Sequence, residues 1–426
     1  GLRLNRSNFI MQPGEALELE NFEPDISGGY RRISGFRKYI NATVPQTSSS
    51  SELVLMVAKF DNKVIAARGE KIFSAASAEL SIAIASGTGM TGSGTITVPS
   101  TTGFSSSGTL QINSELFTYT GVTSTAFTGV TRATSSTTAA THAKLDVVSE
   151  SWTERDTGRT SAKKYNFERF NFDGNEKIIL VDQTNAPVVF NTSLSATDVS
   201  TSSVVGSTVV AAYRNHMFYA GKSTTPQEIV FSEPFNEDGF SSGAGAGSIK
   251  VDDTVVALKV FRDSLFIFCE NRIFKLTGSS LSDFAVQPVT RNIGCVNGFT
   301  VQEFAGDLIF LGPDGLRTVA ATARIGDTEL GTISKNIQTV FDENIKDAGS
   351  FDSVVIPDKT QYRIFFTKDG QGQTLSKGAI CVLKKEAFEF SETRGIQVAC
   401  TDTFVESGDV IVLHGDTTGF IQRQES

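Results

Sequence analysis

The sequence predicts an all-β protein: a β-propeller of six to eight blades, carrying an inserted small β-domain (Ig-like or similar) and one surface helix. Three observations lead there. Gly, Ser and Thr are abundant and the aromatics are lopsided, with 32 Phe against 7 Tyr and one Trp, which favours many short strands joined by turns. An apolar run, a turn and a second apolar run recur seven times. After the first two, the repeats stand roughly 40–55 residues apart, the period of propeller blades.

The repeats, in order, are "LVLMVAKFDNKVIAARGEKIFSA" from 53, "NEKIILVDQTNAPVVFNTS" from 175, "NHMFYAGKSTTPQEIVFSEP" from 215, "SLFIFCENRIFKLTG" from 264, "GDLIFLGPDGLRTVA" from 306, "TQYRIFFTKDGQG" from 360 with "GAICVLKKEAFEF" from 378, and "GDVIVLHGDTTGFIQ" from 408. Each places Ile, Leu, Val or Phe before a turn of Asp, Asn, Gly or Pro type, as two antiparallel strands require. Near-continuous apolar character fits strands packed on both faces, so Phe266, Phe268, Ile273 and Phe274 read as packing residues. A twin β-sandwich would also give many hairpins.

The period breaks between Ser77 and Trp152, where a Thr/Ser/Gly-rich, nearly uncharged stretch keeps strand alternation in "TLQINSELFTYTGV". This is the inserted β-domain, with Ile96, Phe104, Leu110, Ile112, Leu116, Tyr119 and Phe127 as its expected core. The organisation is therefore an N-terminal arm and first blade over 1–76, the insertion over 77–151, and the remaining blades over 152–426. In "TISKNIQTVFDENIKDA", Ile333, Ile337, Val340, Phe341 and Ile345 share one face of a helix near 333–348, with Ser334 as its expected cap. That helix packs on the propeller or docks between subunits through Ile337 and Phe341.

With 39% hydrophobic and 20% charged residues the chain is expected to fold. Its net charge of −9 opposes sequence-independent binding of nucleic acid, which draws on Lys and Arg at phosphates. Cys269, Cys295, Cys381 and Cys400 form no CxxC and read as buried thiols. No signal-like segment and no apolar run of about 18 residues occurs, so a reducing cytoplasm is the expected place of synthesis and no membrane insertion is expected.

Chemistry is thin. His142, His216 and His414 are isolated from one another, and GxSxG, HExxH and GxxxxGK[ST] are absent. The glycines of "SSGAGAGSI" (241–249) lack the strand-then-helix context of a dinucleotide loop and read as a flexible loop. Asp252 with Asp253, or Glu233 with Asp238, are carboxylate pairs of the kind glycosidases use, yet turn acids account for them. No catalytic, cofactor-binding or metal-binding residue is expected. The N-terminal stretch passes from acidic to basic, and its Arg31, Arg32, Arg37 and Lys38 suit either a solvated edge strand pair or an arm that closes the ring or meets a partner of opposite charge.

Those residues also carry a resemblance. "NFEPDISGGYRRISGF" and the long stretch "RNHMFYAGKSTTPQEIVFSEPFNEDGFSSGAGAGSIKVDDTVVALKVFRDSLFIFCENRIFKLTG" resemble the tail nozzle or tail-hub proteins (tail tubular protein B-like) of short-tailed bacteriophages. "GPDGLRTV" and "TISKNIQTVFDENI" extend the likeness over most of the chain outside the insertion. The positions matching the family pattern are Arg214, Phe218, Ala220, Ser232, Pro234, Phe235 and Phe240, then Val255, Leu258, Phe261, Arg262, Leu265 and Phe268. The insertion resembles small β-modules of phage structural proteins, ending on Thr141-His142-Ala143.

The resemblance implies a structural virion protein made in the host bacterial cytoplasm. It would form a homo-oligomeric ring, commonly a hexamer, below the portal-adaptor proteins, with tail fibres or a tail tip as further partners. DNA would pass through the channel without specific binding, and an acidic wall would let it slide. The alternatives are a glycan-binding or glycan-cleaving propeller of a tail fibre or cell-surface protein, and a bacterial adhesion or scaffold module.

Overall fold

The computed structural model describes residues 1–5, 10–25, 28–47, 52–160, 163–172, 174–320, 331–369, 374–384 and 387–424. The fold is all-β, with the seven-bladed arrangement of a β-propeller and an inserted β-domain. Each of the seven apolar repeats falls within one small antiparallel sheet. The chain divides into two compact units: a larger one of Gly1–Ile33 and Lys163–Val398, and a smaller one of Ser34–Ala162 and Ala399–Ser426.

The larger unit holds five of these sheets, numbered here as blades 2 to 6. Blade 2 is Asn166–Phe172, Asn175–Val181, Val188–Asn191 and Ala196–Asp198, and blade 3 is Val209–Tyr213, His216–Ala220, Glu228–Phe231 and Gly247–Lys250. Blade 4 is Val255–Phe261, Ser264–Cys269, Ile273–Thr277 and Ala285–Thr290. Blade 5 has three strands among the described residues, Gln302–Phe304, Asp307–Gly312 and Gly315–Thr318; blade 6 is Ala348–Ile356, Gln361–Asp369, Thr374–Lys384 and Ala387–Arg394. Successive blades share apolar cores. Phe218 and Phe231 of blade 3 meet Leu265 and Ile267 of blade 4, while Phe268 of blade 4 meets Phe310 of blade 5. Every residue of Ser264–Cys269 is buried, which explains its unbroken apolar run.

Two-residue turns join the first two strands of blades 3 and 4. Arg214 and Asn215, like Arg262 and Asp263, adopt positive φ at both central positions, the conformation that matches strand twist in a tight hairpin. These turns also link blades. Arg262 donates to the Gly306 carbonyl at 2.6 Å, and the Tyr213 hydroxyl donates to the Asp263 carbonyl at 3.0 Å.

The smaller unit holds blade 1 (Val54–Phe60, Lys63–Arg68, Lys71–Ala75, Thr153–Asp156) and blade 7 (Cys400–Glu406, Asp409–Gly415, Ile421–Gln424), whose fourth strand is Phe36–Lys38. Between the third and fourth strands of blade 1 the chain builds a seven-stranded sheet from Ser77–Glu79 to Val147–Glu150. Its core contains Ile96, Leu110, Ile112, Tyr119 and Phe127, with Phe104 packed against it. Leu116 is only half-buried, and Phe117 takes the expected place in the core. Alternation within Glu115–Tyr119 points residues 115, 117 and 119 inward. The inward slot at 115 holds a glutamate, which hides the true register from an apolar pattern.

Two further expectations are corrected. The helix runs over Gln338–Asp347, after a 3-10 turn at Lys335–Ile337, and Ser334 caps neither. Its hydroxyl accepts instead from the Leu316 amide at 3.0 Å. The stretch 241–249 is ordered structure, a 3-10 turn at Ser242–Ala244 leading into the outer strand of blade 3. Gly247 is there for space, since a Cβ would lie 2.8 Å from the Phe231 ring.

Candidate assembly site

The N-terminal segment of the larger unit lies along the free edge of blade 6. Leu2 donates to the Phe390 carbonyl, Asn21 donates to the Glu392 carbonyl, and the Glu392 amide returns a bond to Leu19. A short hairpin follows, Phe22–Pro24 with Tyr30–Arg32, in the register Phe22↔Arg32 and Glu23↔Arg31. Gly28 and Gly29 both take positive φ in its turn, which excludes ordinary side chains there.

Glu23 is fully buried and gathers four donors. Arg363 and Gln361 reach it at 2.9 Å, Lys359 at 3.0 Å, and Arg31 from the facing strand. Burial alone would raise this carboxyl; hydrogen bonds from Gln361 and Lys359 and the charges of Lys359 and Arg363 outweigh it and hold the carboxyl below its ordinary value. The hairpin is thereby pinned to blade 6 by residues about 340 positions away.

The inserted sheet contains a second hub. Glu115, also fully buried, accepts a bidentate pair from Arg132 at 2.8 and 2.8 Å and the Ala133 and Ala140 amides at 3.1 and 2.9 Å. His142 Nε2 stands 2.8 Å away and must be the donor, since a carboxylate only accepts. Burial is again outweighed, here by Arg132, the Ala140 amide and His142, and the carboxyl falls to about 2. Arg132 spends its remaining donors on the carbonyls of Ala85, Thr88 and Ala140. Within the smaller unit Asn41 fastens this sheet, its side chain donating to the Gln111 and Val147 carbonyls at 2.7 Å each.

The residues singled out from sequence are placed as follows. Arg31 is half-exposed and shared by Glu23 and Asp25, while Arg32 is exposed. In the smaller unit Arg37 pairs with Glu79, and the Lys38 ammonium lies 4.0 Å over the Phe420 ring. Ile337 and Phe341 are fully buried in the core shared by blades 5 and 6, so the docking role expected for them is corrected: the chain's own core consumes both side chains. The acids resolve into turn chemistry. Asp252 pairs with Arg272, Asp253 accepts from Asn271 and Thr254, and Glu233 fastens its own loop. His216 donates to the Ser232 carbonyl, and His414 is buried beside Gln424. All four cysteines are buried free thiols, and burial pushes Cys295 up to about 12.

Sequence reasoning missed Glu23, Glu115 and Glu168. Glu168, on the first strand of blade 2, is lifted by burial to about 7, against the opposing charge of Lys259 and a bond from the Ala212 amide. Nothing local marks these glutamates, because their partners come from distant or irregular segments.

No family model matches the chain, and no curated protein matches it. Among solved structures it is similar to BamB from Moraxella catarrhalis, at 10% identity and a TM-score of 0.43, over 91% of this chain and 97% of that one. Raptor from Chaetomium thermophilum gives 8% identity and a TM-score of 0.39, over 84% of this chain and 29% of that one. Hsv2 from Kluyveromyces lactis gives 8% and 0.34, over 80% of this chain and 98% of that one. At such identities the likeness concerns fold alone, and the fold itself hosts many functions.

Proposed function

We propose that this chain is a structural component of a bacteriophage tail, a ring-forming nozzle or hub protein below the portal-adaptor assembly through which DNA leaves. The observation that supports this reading is the clasp at Glu23. The opening stretch that carries the family resemblance includes a hairpin pinned to blade 6 by a fully buried ionic hub. Rigid fastening of this kind suits a part that must hold shape within an assembly. The net charge of −9 suits a wall past which DNA slides.

Electron microscopy of the chain mixed with portal-adaptor complex from its own phage tests the proposal. The expected result is a ring of propellers on the adaptor around an open axis. Monomers without contact to the tail, together with retention on a glycan array, would overturn it in favour of a carbohydrate-binding propeller.

A further inference from the structure

Phe235 combines two costs that folding alone does not require. It is a bulky residue at φ 60, in the left-handed region where such side chains are genuine outliers. It is also 49% exposed, so the strained backbone buries little in return. The surrounding loop holds this conformation in place. The Phe235 amide donates to the Asn215 carbonyl at 2.7 Å, Glu233 and Gly239 are joined through their backbones at 2.8 Å, and the Glu233 carboxylate accepts from Ser241 and Asn236. Glu237 pairs with Lys177 and accepts the Tyr219 hydroxyl on its carbonyl. A Cβ at Gly239 would lie 2.5 Å from Glu233 Oε2 and displace the carboxylate that fastens the loop. Beside Phe235, Asp238 is exposed and has no ion-pair partner among the described residues.

The arm on blade 6 presents the opposite pattern. Phe22 is 42% exposed and Leu17 44%, and Phe22 stands directly across the hairpin from Arg32. Arg32 is exposed and likewise without an ion-pair partner among the described residues. One patch is an aromatic with an uncompensated carboxylate, the other an aromatic with an uncompensated guanidinium. They sit on blades 3 and 6 of the same unit.

We propose that the Phe235–Asp238 knob of one copy docks on the Phe22–Arg32 face of a second copy. Each copy then offers a knob and a receiving face, a heterologous contact that repeats head to tail and closes into a ring when its rotation permits. Pre-organisation explains the strain: a rigid aromatic loses little freedom on binding. The inference deepens the tail reading and depends on it only for the ring.

The test uses the full chain in sedimentation velocity with variants F235G, D238R, R32E and the double variant D238R/R32E. The expected result is self-association of the natural chain, weakened roughly tenfold or more by F235G with a thermal midpoint equal or higher, because glycine accepts this φ without strain. Each charge reversal weakens association, and the double variant regains it. A natural chain that stays monomeric, or F235G and D238R chains that associate normally, would overturn the contact. Association through Phe235 in a chain absent from phage tails leaves the contact standing and sinks the tail reading. A chain present in tails whose F235G variant assembles normally does the reverse.

Discussion

Glu23 and Glu115 are both fully buried carboxylates that satisfy cations, yet they solve different problems. Glu115 works within a neighbourhood: its partners lie 17–27 positions away, and they fix the irregular segment from Arg132 to His142 onto one small sheet. Glu23 works across the chain, joining a hairpin to a turn and strand of blade 6 that lie 336–340 positions away. The first shapes a loop; the second closes a long loop in the manner of a cross-link. A buried charge becomes tolerable only when its partners are complete, so each hub also demands that its distant or irregular partners arrive in place.

The largest effect is expected from Glu115→Ala. It strands Arg132, which is 8% exposed, and should cost about 3–5 kcal/mol in the denaturant transition of the inserted sheet. The acid limb adds a second reading. Glu115 is held at about 2, below the unfolded carboxyl, so its stabilisation is full above the unfolded value near 4.3 and disappears as pH falls through about 2. A transition flat between pH 5 and 2 would refute the hub's role.

Glu23→Ala should follow at about 3 kcal/mol, the low end for a broken buried pair, because Arg363 is the one cation of the hub left fully buried while Lys359 and Arg31 can turn to water. Hydrogen exchange should locate the loss at the Asn21 and Glu392 amides, which bind the arm to blade 6, and leave blades 2 to 4 protected. If the comparison with a cross-link holds, unfolding accelerates while refolding stays nearly unchanged, since so distant a contact forms late.

Glu168 is the contrasting case, a carboxylate without a complete hub. Its ionisation is disfavoured in the fold, so whatever the protonated form contributes is present below the unfolded value and lost as pH rises through about 7. Glu168→Gln should therefore raise the thermal midpoint at pH 8 and change it little at pH 4; an equal shift at both would count against this account. The smallest effect is expected at Arg37, whose pair with Glu79 is partly exposed. Arg37→Ala should cost about 0.2–1 kcal/mol and less in high salt.

The seven hairpins were legible because blade centres are apolar on both faces, so their residues announce themselves without regard to partner. The outer strands were not. Ala196–Asp198 is mostly exposed and carries no apolar pattern, and Phe36–Lys38 gives no hint that it belongs beside residues 421–424. The insertion was readable as alternation and Tyr119 was placed correctly, but with a glutamate at the inward position 115 the apolar pattern put Leu116 in the core where Phe117 stands. The helix face was read correctly in Ile337, Val340 and Phe341, but its role stayed open between packing on the propeller and docking, and the chain's own core takes it: an apolar stripe has the same spacing either way. Phe235 could not be found by composition at all, because its distinguishing property is a backbone angle.

The pairing of Phe36–Lys38 with Ile421–Gln424 has a consequence for synthesis. The early strand leaves the ribosome long before its partner exists. At about 5–20 residues per second the wait is about 20–80 s, during which blade 7 has no second edge to offer. A chain interrupted before residue 421 therefore carries an unfinished sheet and a strand without a neighbour, a state that chaperones and proteases can recognise. Only chains extended through residue 424 lose that mark.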